Sequence, residues 1–261
     1  MHNGKLQQRL PLTPAKVVGA GEHKVVVAHG WLGGSESWGP TWGTLDTETF
    51  TYAFLDGRGY GHAQGVGGEY TVQEFGDDLI YTCDELGWEQ FSLIGHSMGG
   101  MAVQWALAQA PHRVRKIVGV TPVPASGTPM GPDRMSLFQS AVADVRSRQT
   151  ILDNTTGKRL SETWLRAEAQ RSMESSNPHA LDGYLHSWTN TDFHELVKGQ
   201  SVSAKVFVGE HDPSITTARV ADTWACWYPN LDVEVLTNAG HYPMSETPIA
   251  LVTGIERFLA I

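Results

Sequence analysis

No stretch of this chain approaches the roughly 18 consecutive apolar residues that a membrane-spanning helix requires. The N-terminal segment MHNGKLQQRLPLTPAKV also lacks the continuous apolar core of a secretory leader. A soluble, cytoplasmic protein with no membrane partner is therefore expected. Cysteine is equally scarce: Cys83 and Cys226 are the only two, and neither stands in a CxxC or His-flanked cluster with metal-ligand spacing. Both fall in segments read as helical, so buried thiols are expected. Basic residues are few and scattered. Nineteen Lys and Arg against 28 Asp and Glu leave a formal charge of −9, and the chain has no basic face with which to grip a nucleic-acid backbone. Repeats and low-complexity tracts are missing too.

With 261 residues, 41% of them apolar, the chain can bury a sizeable core, as one large domain or as one domain carrying an insertion. Short apolar runs alternate with amphipathic stretches. His23 to Ala28 (HKVVVA), Phe50 to Leu55, Phe91 to Ile94, Val114 to Val120, Ala204 to Val208 and Leu231 to Leu236 read as strands buried on both faces. A helix opens at the capping box Thr71-Val72-Gln73-Glu74, carries Phe75, Leu79, Cys83 and Leu86 on one face, and stops at Gly87. Another starts at Thr247-Pro248, where the missing proline N–H costs nothing, and runs to the C-terminus. This repetition predicts an α/β fold with a mostly parallel central sheet flanked by helices.

The alternation breaks between about residues 122 and 202. Met135, Phe138, Val142 and Val145 recur at helical spacing, and Leu160 and Trp164 begin another face. Leu181, Tyr184, Leu185 and Trp188 form an i, i+3, i+4, i+7 stripe behind Asn177-Pro178. The division expected is a core of residues 1–121 and 203–261 with a helical cap insertion over 122–202. Aromatic and Met stripes of this kind more often pack against the main domain than touch a ligand.

Chemistry is concentrated at Gly95-His96-Ser97-Met98-Gly99, between a strand (FSLIG) and a helix of small residues (MGGMAVQWALAQA). A serine hydroxyl is a poor nucleophile at neutral pH. It needs exposure, a base, and donors for the oxyanion that its attack creates. A sharp strand-to-helix turn supplies the exposure, its glycines leave room for close helix approach, and the helix N-terminus adds unpaired N–H groups. Taken alone, the pentapeptide is equally a glycine turn with no chemistry.

Here the chain resembles the α/β-hydrolase fold family, and three further segments match that family's pattern, each after an expected strand. His29-Gly30-Trp31-Leu32-Gly33-Gly34 is similar to its HG-x loop, Gly209-Glu210-His211-Asp212 to its acid loop, and Ala239-Gly240-His241-Tyr242-Pro243 to its histidine loop. The resemblance implies a triad in the chain order Ser97, Asp212, His241, with the backbone N–H groups of Trp31 and Met98 as the oxyanion hole. Glu210 is a rival acid in the same loop, and Asp212 is also a natural turn former before Pro213. The strand at 114–120 is followed by Thr121-Pro122-Val123-Pro124, which offers no carboxylate. His211 and Asp212 have no third ligand nearby, so no metal and no cofactor are expected. Asp56-Gly57-Arg58-Gly59-Tyr60-Gly61-His62 resembles a family turn that shapes a strand end. His29 and His96 are expected to support loop geometry. Trp31, with Met135, Phe138 and Trp188 of the insertion, is expected to line the pocket. Many members begin with a β-hairpin, for which only about twenty residues remain before the first clear strand here.

A serine at the elbow sets the chain apart from the members that use Asp there (dehalogenases, epoxide hydrolases) or Cys (dienelactone hydrolases). The resemblance implies hydrolysis of a small to medium, partly apolar carboxylic ester or lactone through an acyl-enzyme. Alternatives on the same triad are a cofactor-free perhydrolase, similar to the haloperoxidases, or a C–C bond hydrolase. A low-turnover ligand-binding receptor is the alternative of another class. Exact substrate and oligomeric state are left open by the sequence.

Overall fold

The computed structural model describes residues 12–261, so most of the N-terminal segment considered as a leader lies outside the described residues. Seven strands form one sheet in the order β1-β3-β2-β4-β5-β6-β7. They are β1 (Lys16–Val18), β2 (His23–Ala28), β3 (Phe50–Leu55), β4 (Phe91–His96), β5 (Val114–Val120), β6 (Ser203–Gly209) and β7 (Leu231–Leu236). Only β1 is antiparallel, pairing with β3; all the other neighbours are parallel. The short first strand therefore meets β3 rather than making a hairpin ladder with β2.

Side-chain alternation divides the core between the two faces of the sheet. Val26 and Ala28 of β2, with Ala53 and Leu55 of β3, belong to one apolar cluster; Val25, Val27, Tyr52 and Phe54 belong to the other. This is the period-two geometry of a strand covered on both sides, and it is why these runs read as continuously apolar. The exception is β7, whose Asp232, Val233 and Val235 are exposed. It was expected to be buried on both faces, but as the last strand of the sheet it has a neighbour on one side only.

Against the first face pack α1 (Val72–Glu85) and α2 (Met98–Gln109). Thr71 caps α1, its hydroxyl accepting from the Glu74 N–H, while Glu74 reaches back to the N–H groups of Glu69 and Tyr70. Gly87, at φ +68°, follows the last turn. A Cβ at Gly76 would lie 2.7 Å from the carbonyl oxygen of Ala102, so the two helices touch along small residues. The C-terminal helix, Pro248–Ala260, packs on the second face.

Between β5 and β6 the chain runs through five helices: α3 (Pro132–Ser140), α4 (Val145–Thr155), α5 (Glu162–Ser175), α6 (Pro178–Asn190) and α7 (His194–Val197). The Met135 to Val145 periodicity does not belong to one helix. The chain breaks after Ser140 and restarts at Asp144, whose carboxylate accepts from the N–H groups of Arg146 and Ser147. Asn177 caps α6, and Leu181, Tyr184, Leu185 and Trp188 are all buried.

Cys83 is buried as expected, but Cys226 is exposed. It sits in a four-residue helix whose Trp224 and Trp227 face inward at i, i+3, which turns the intervening thiol out. Among the described residues, no helix is long and apolar enough to cross a membrane.

Candidate active site

Ser97 occupies the junction of β4 and α2 with φ +51° and ψ −115°, a conformation that L residues adopt at a cost of about 1–3 kcal/mol. The surrounding structure holds it there. Its N–H donates to the Val120 carbonyl, and its own carbonyl accepts from Gly100 and Val123. The flanking glycines are required by contact: a Cβ at Gly95 would fall 2.2 Å from the Gly99 carbonyl oxygen, and one at Gly99 would fall 2.6 Å from that of His29.

His241 lies in the loop after β7. Its Nε2 is 2.9 Å from Ser97 Oγ, and its Nδ1 is 2.6 Å from Asp212 Oδ2. The carboxylate can only accept, so Nδ1 carries the ring proton and Nε2 faces the hydroxyl as acceptor. The second oxygen of Asp212 accepts from the N–H groups of Ser214 and Ile215, which fixes the carboxylate in the loop after β6. Its side chain is wholly buried, and that of His241 is 11% exposed. Asp212 thus serves as turn former and imidazole partner at once. Glu210 faces elsewhere, accepting from the Asn238 N–H and approaching His211.

All three residues follow the carboxyl ends of parallel strands, as ligand sites of such sheets do. The HG loop after β2 joins them there. A Cβ at Gly30 would sit 2.5 Å from His96 Nδ1 and 3.2 Å from Ser97 Cβ, so only glycine lets this loop lie against the serine. The Trp31 indole N–H donates to the Leu181 carbonyl, and its own carbonyl accepts from the Tyr60 hydroxyl. Met98 opens α2, so its N–H has no intrahelical acceptor.

Buried histidines brace this arrangement. His29 donates from Nδ1 to the Gly30 carbonyl and accepts at Nε2 from the Gly57 N–H. His96 donates from Nε2 to the carbonyl of His241. Burial lowers the pKa of both below the ordinary histidine value, that of His96 well below, keeping each ring neutral. The Asp56 to His62 turn is likewise a brace. Asp56 accepts from the N–H groups of Ser35 and His62, and Arg58 makes two hydrogen bonds to Asp78.

The histidine loop is held from the inserted helices. The His241 N–H donates to the Thr155 carbonyl, and a Cβ at Gly240 would meet Thr156 Cα at 2.7 Å. Glu246 accepts from the N–H groups of Gly240 and Tyr242 and pairs with Arg159 at 3.0 Å.

A cavity of about 540 Å³, including its open mouth, lies over Ser97 and His241. Trp31, Phe138 and Trp188 line it as expected, the first two stacked with centroids 5.3 Å apart. Met135 does not. On α3 the cavity-facing residues are Arg134 and Phe138, four apart and so on one face, while Met135 is turned about 100° away and packs, partly buried, on the apolar core. Thr128, Arg134, Ile151 and Ser214, to which no motif pointed, also line the cavity, as does Tyr242 of the histidine loop. Among the described residues, no group of three or more His, Cys, Asp or Glu side chains is arranged to hold a metal ion.

Fold and site together define an α/β protein with a serine elbow at the carboxyl edge of a parallel sheet. The chain belongs to the α/β hydrolase fold family, whose model matches residues 24–248. It is 23% identical over 256 residues to a pimeloyl-acyl-carrier-protein methyl ester esterase of Serratia marcescens, covering 94% of this chain and 97% of that one. It is 28% identical over 204 residues to a bifunctional esterase/perhydrolase of Acinetobacter calcoaceticus, covering 70% and 72% respectively. In three dimensions it is similar to an esterase from Exiguobacterium antarcticum, with a TM-score of 0.84 at 17% identity over 96% of this chain and 98% of that one. That likeness concerns the fold alone.

Proposed function

We propose that this protein is a serine hydrolase that cleaves a small to medium, partly apolar carboxylic ester or lactone. The observation that carries the reading is the unbroken relay from Asp212 through His241 to Ser97, opening on an apolar cavity. Ser97 Oγ attacks the carbonyl carbon while His241 Nε2 takes its proton, and Asp212 holds the ring's tautomer and stabilises the imidazolium. The backbone N–H groups of Trp31 and Met98 receive the developing oxyanion. His241 then protonates the leaving alcohol, and water activated by the same ring cleaves the acyl-enzyme. Trp31, Phe138 and Trp188 supply apolar walls for the acyl or alcohol group. Residues 122–202 act as a cap over the cavity.

The direct test is covalent labelling by a fluorophosphonate probe, together with rates on 4-nitrophenyl esters of increasing chain length and on lactones. Labelling of Ser97 and hydrolysis that both vanish in Ser97→Ala support the reading; tight ligand binding without labelling favours a receptor. The likeness to an esterase/perhydrolase supports a second reading, in which hydrogen peroxide replaces water at the acyl-enzyme and releases a peracid. Peracid formation from acetate and hydrogen peroxide, measured beside esterolysis, separates the two.

A further inference from the structure

The cavity wall is apolar around Ser97, and none of its lining residues is Asp or Glu. Arg134 stands out among them. Its Nη2 donates to Ser214 Oγ at 3.1 Å, and its guanidinium carbon lies 5.5 Å from the centre of the Phe138 ring. Among the described residues it makes no ion pair. Asp212 is near enough to act on it electrostatically, but both oxygens of that carboxylate are already occupied. Arg134 is exposed at the rim of the cavity, and the desolvation it does undergo lowers its pKa from the ordinary arginine value.

Two buried donors in the surrounding shell have no partner. Trp188, in the cavity wall, has a buried indole N–H with no acceptor. Arg219 bonds through Nη2 to Thr128 Oγ1 of the same wall, while its buried Nε has no partner. Arg219 is pushed further from its charged form by Arg134, so the two guanidinium groups feel each other. An anion held by Arg134 in the cavity would offset the repulsion between the two guanidinium groups.

Resting on the hydrolase reading above, we propose that the preferred substrate is a half-ester of an aliphatic dicarboxylic acid, with Arg134 as the specificity-determining residue that binds its free carboxylate. The methylene chain lies along the apolar wall of Trp31 and Phe138, and the ester carbonyl reaches Ser97.

Mono-4-nitrophenyl adipate and 4-nitrophenyl hexanoate differ only in a terminal carboxylate for a methyl group, so the ratio of their kcat/KM values reads the proposal. The ratio is expected to exceed one in the wild type, to fall at least about tenfold in Arg134→Gln, and to recover partly in Arg134→Lys. It should also shrink as salt is added, because Arg134 sits at the cavity mouth. Arg146→Gln, an exposed arginine on α4, is the control. A ratio at or below one in the wild type, or one unmoved by Arg134→Gln, overturns the proposal. Equilibrium binding gives a second readout that does not depend on turnover. In Ser97→Ala protein, quenching of tryptophan fluorescence by monomethyl adipate should weaken at least about tenfold when Arg134→Gln is added, and an unchanged affinity overturns the proposal. Failure of the hydrolase reading is seen separately, as absence of fluorophosphonate labelling.

Discussion

The main-chain oxygen of His241 accepts a hydrogen bond from Nε2 of His96 at 2.8 Å, so the residue before the elbow serine carries the backbone of the histidine that faces it. Thr121 Oγ1 donates to the same oxygen at 3.0 Å. Position and reactivity at this site are therefore set by neighbours that do no chemistry themselves.

Replacing His96 by Phe removes the nearer of those two donors from a buried carbonyl. The expected result is a kcat lowered roughly tenfold with little change in KM, and a stability loss of about 1–3 kcal/mol. Steady-state kinetics and urea unfolding measure the two effects. A change confined to KM would show that His96 shapes the cavity rather than the position of His241.

Ser97 supports a paired prediction on activity and strain. Ser97→Ala and Ser97→Gly should each lower kcat by something on the order of 10⁶. Their stabilities should differ, because glycine accepts φ +51° while alanine does not. Ser97→Gly is expected to be about 1 kcal/mol more stable than Ser97→Ala by denaturant midpoint. Equal midpoints would mean that the elbow stores no backbone strain.

Glu246, buried beneath the histidine loop, is predicted to be a positioning residue. Glu246→Ala leaves the N–H groups of Gly240 and Tyr242 and the Arg159 guanidinium without their acceptor. The expected outcome is a loss of about 2–4 kcal/mol in stability, with kcat falling more than KM rises. Arg159→Ala, which removes only the outer partner, should do less on both counts.

Stability should fall as the solution is acidified below the ordinary histidine range. Burial, with Arg115 and Lys116 nearby, pushes His23 down to about 4, and burial also lowers His29 and His96. In each case the unfolded chain takes up the proton first, so unfolding is favoured progressively from about pH 6.5 downward. Above that pH the contribution is complete; for His23 it is lost as pH falls toward 4. Melting temperatures from pH 7 to 4 should show this slope, and His23→Gln should flatten it. An unaltered slope in that variant assigns the effect to other groups.

The strands were readable because their residues are rich in β-branched and aromatic types and, in all but β7, buried on both sides, and the six runs from 23 to 236 coincide with observed strands to within two residues. The serine elbow was readable for a related reason. Its glycines are demanded by contacts, such as Gly99 against the His29 carbonyl, that leave no room for any other residue. The exposure of β7 was not, since an edge strand and a central one share the same local propensities. Nor was the outward turn of Cys226, or the break between α3 and α4, where one apolar period continues across two helices.

Local pattern carried the order of the elements and the turn at Ser97, because backbone sterics and short-range periodicity act within a few neighbours along the chain; the grouping of Asp212 and His241 with that serine was implied by the resemblance to the α/β-hydrolase fold family. The contact that joins Asp212 rather than Glu210 to His241, the turn of Met135 away from the cavity and the arrival of Arg134 at its mouth came only with folding. Each depends on how segments far apart in the chain pack against one another, and no window of sequence contains that angle.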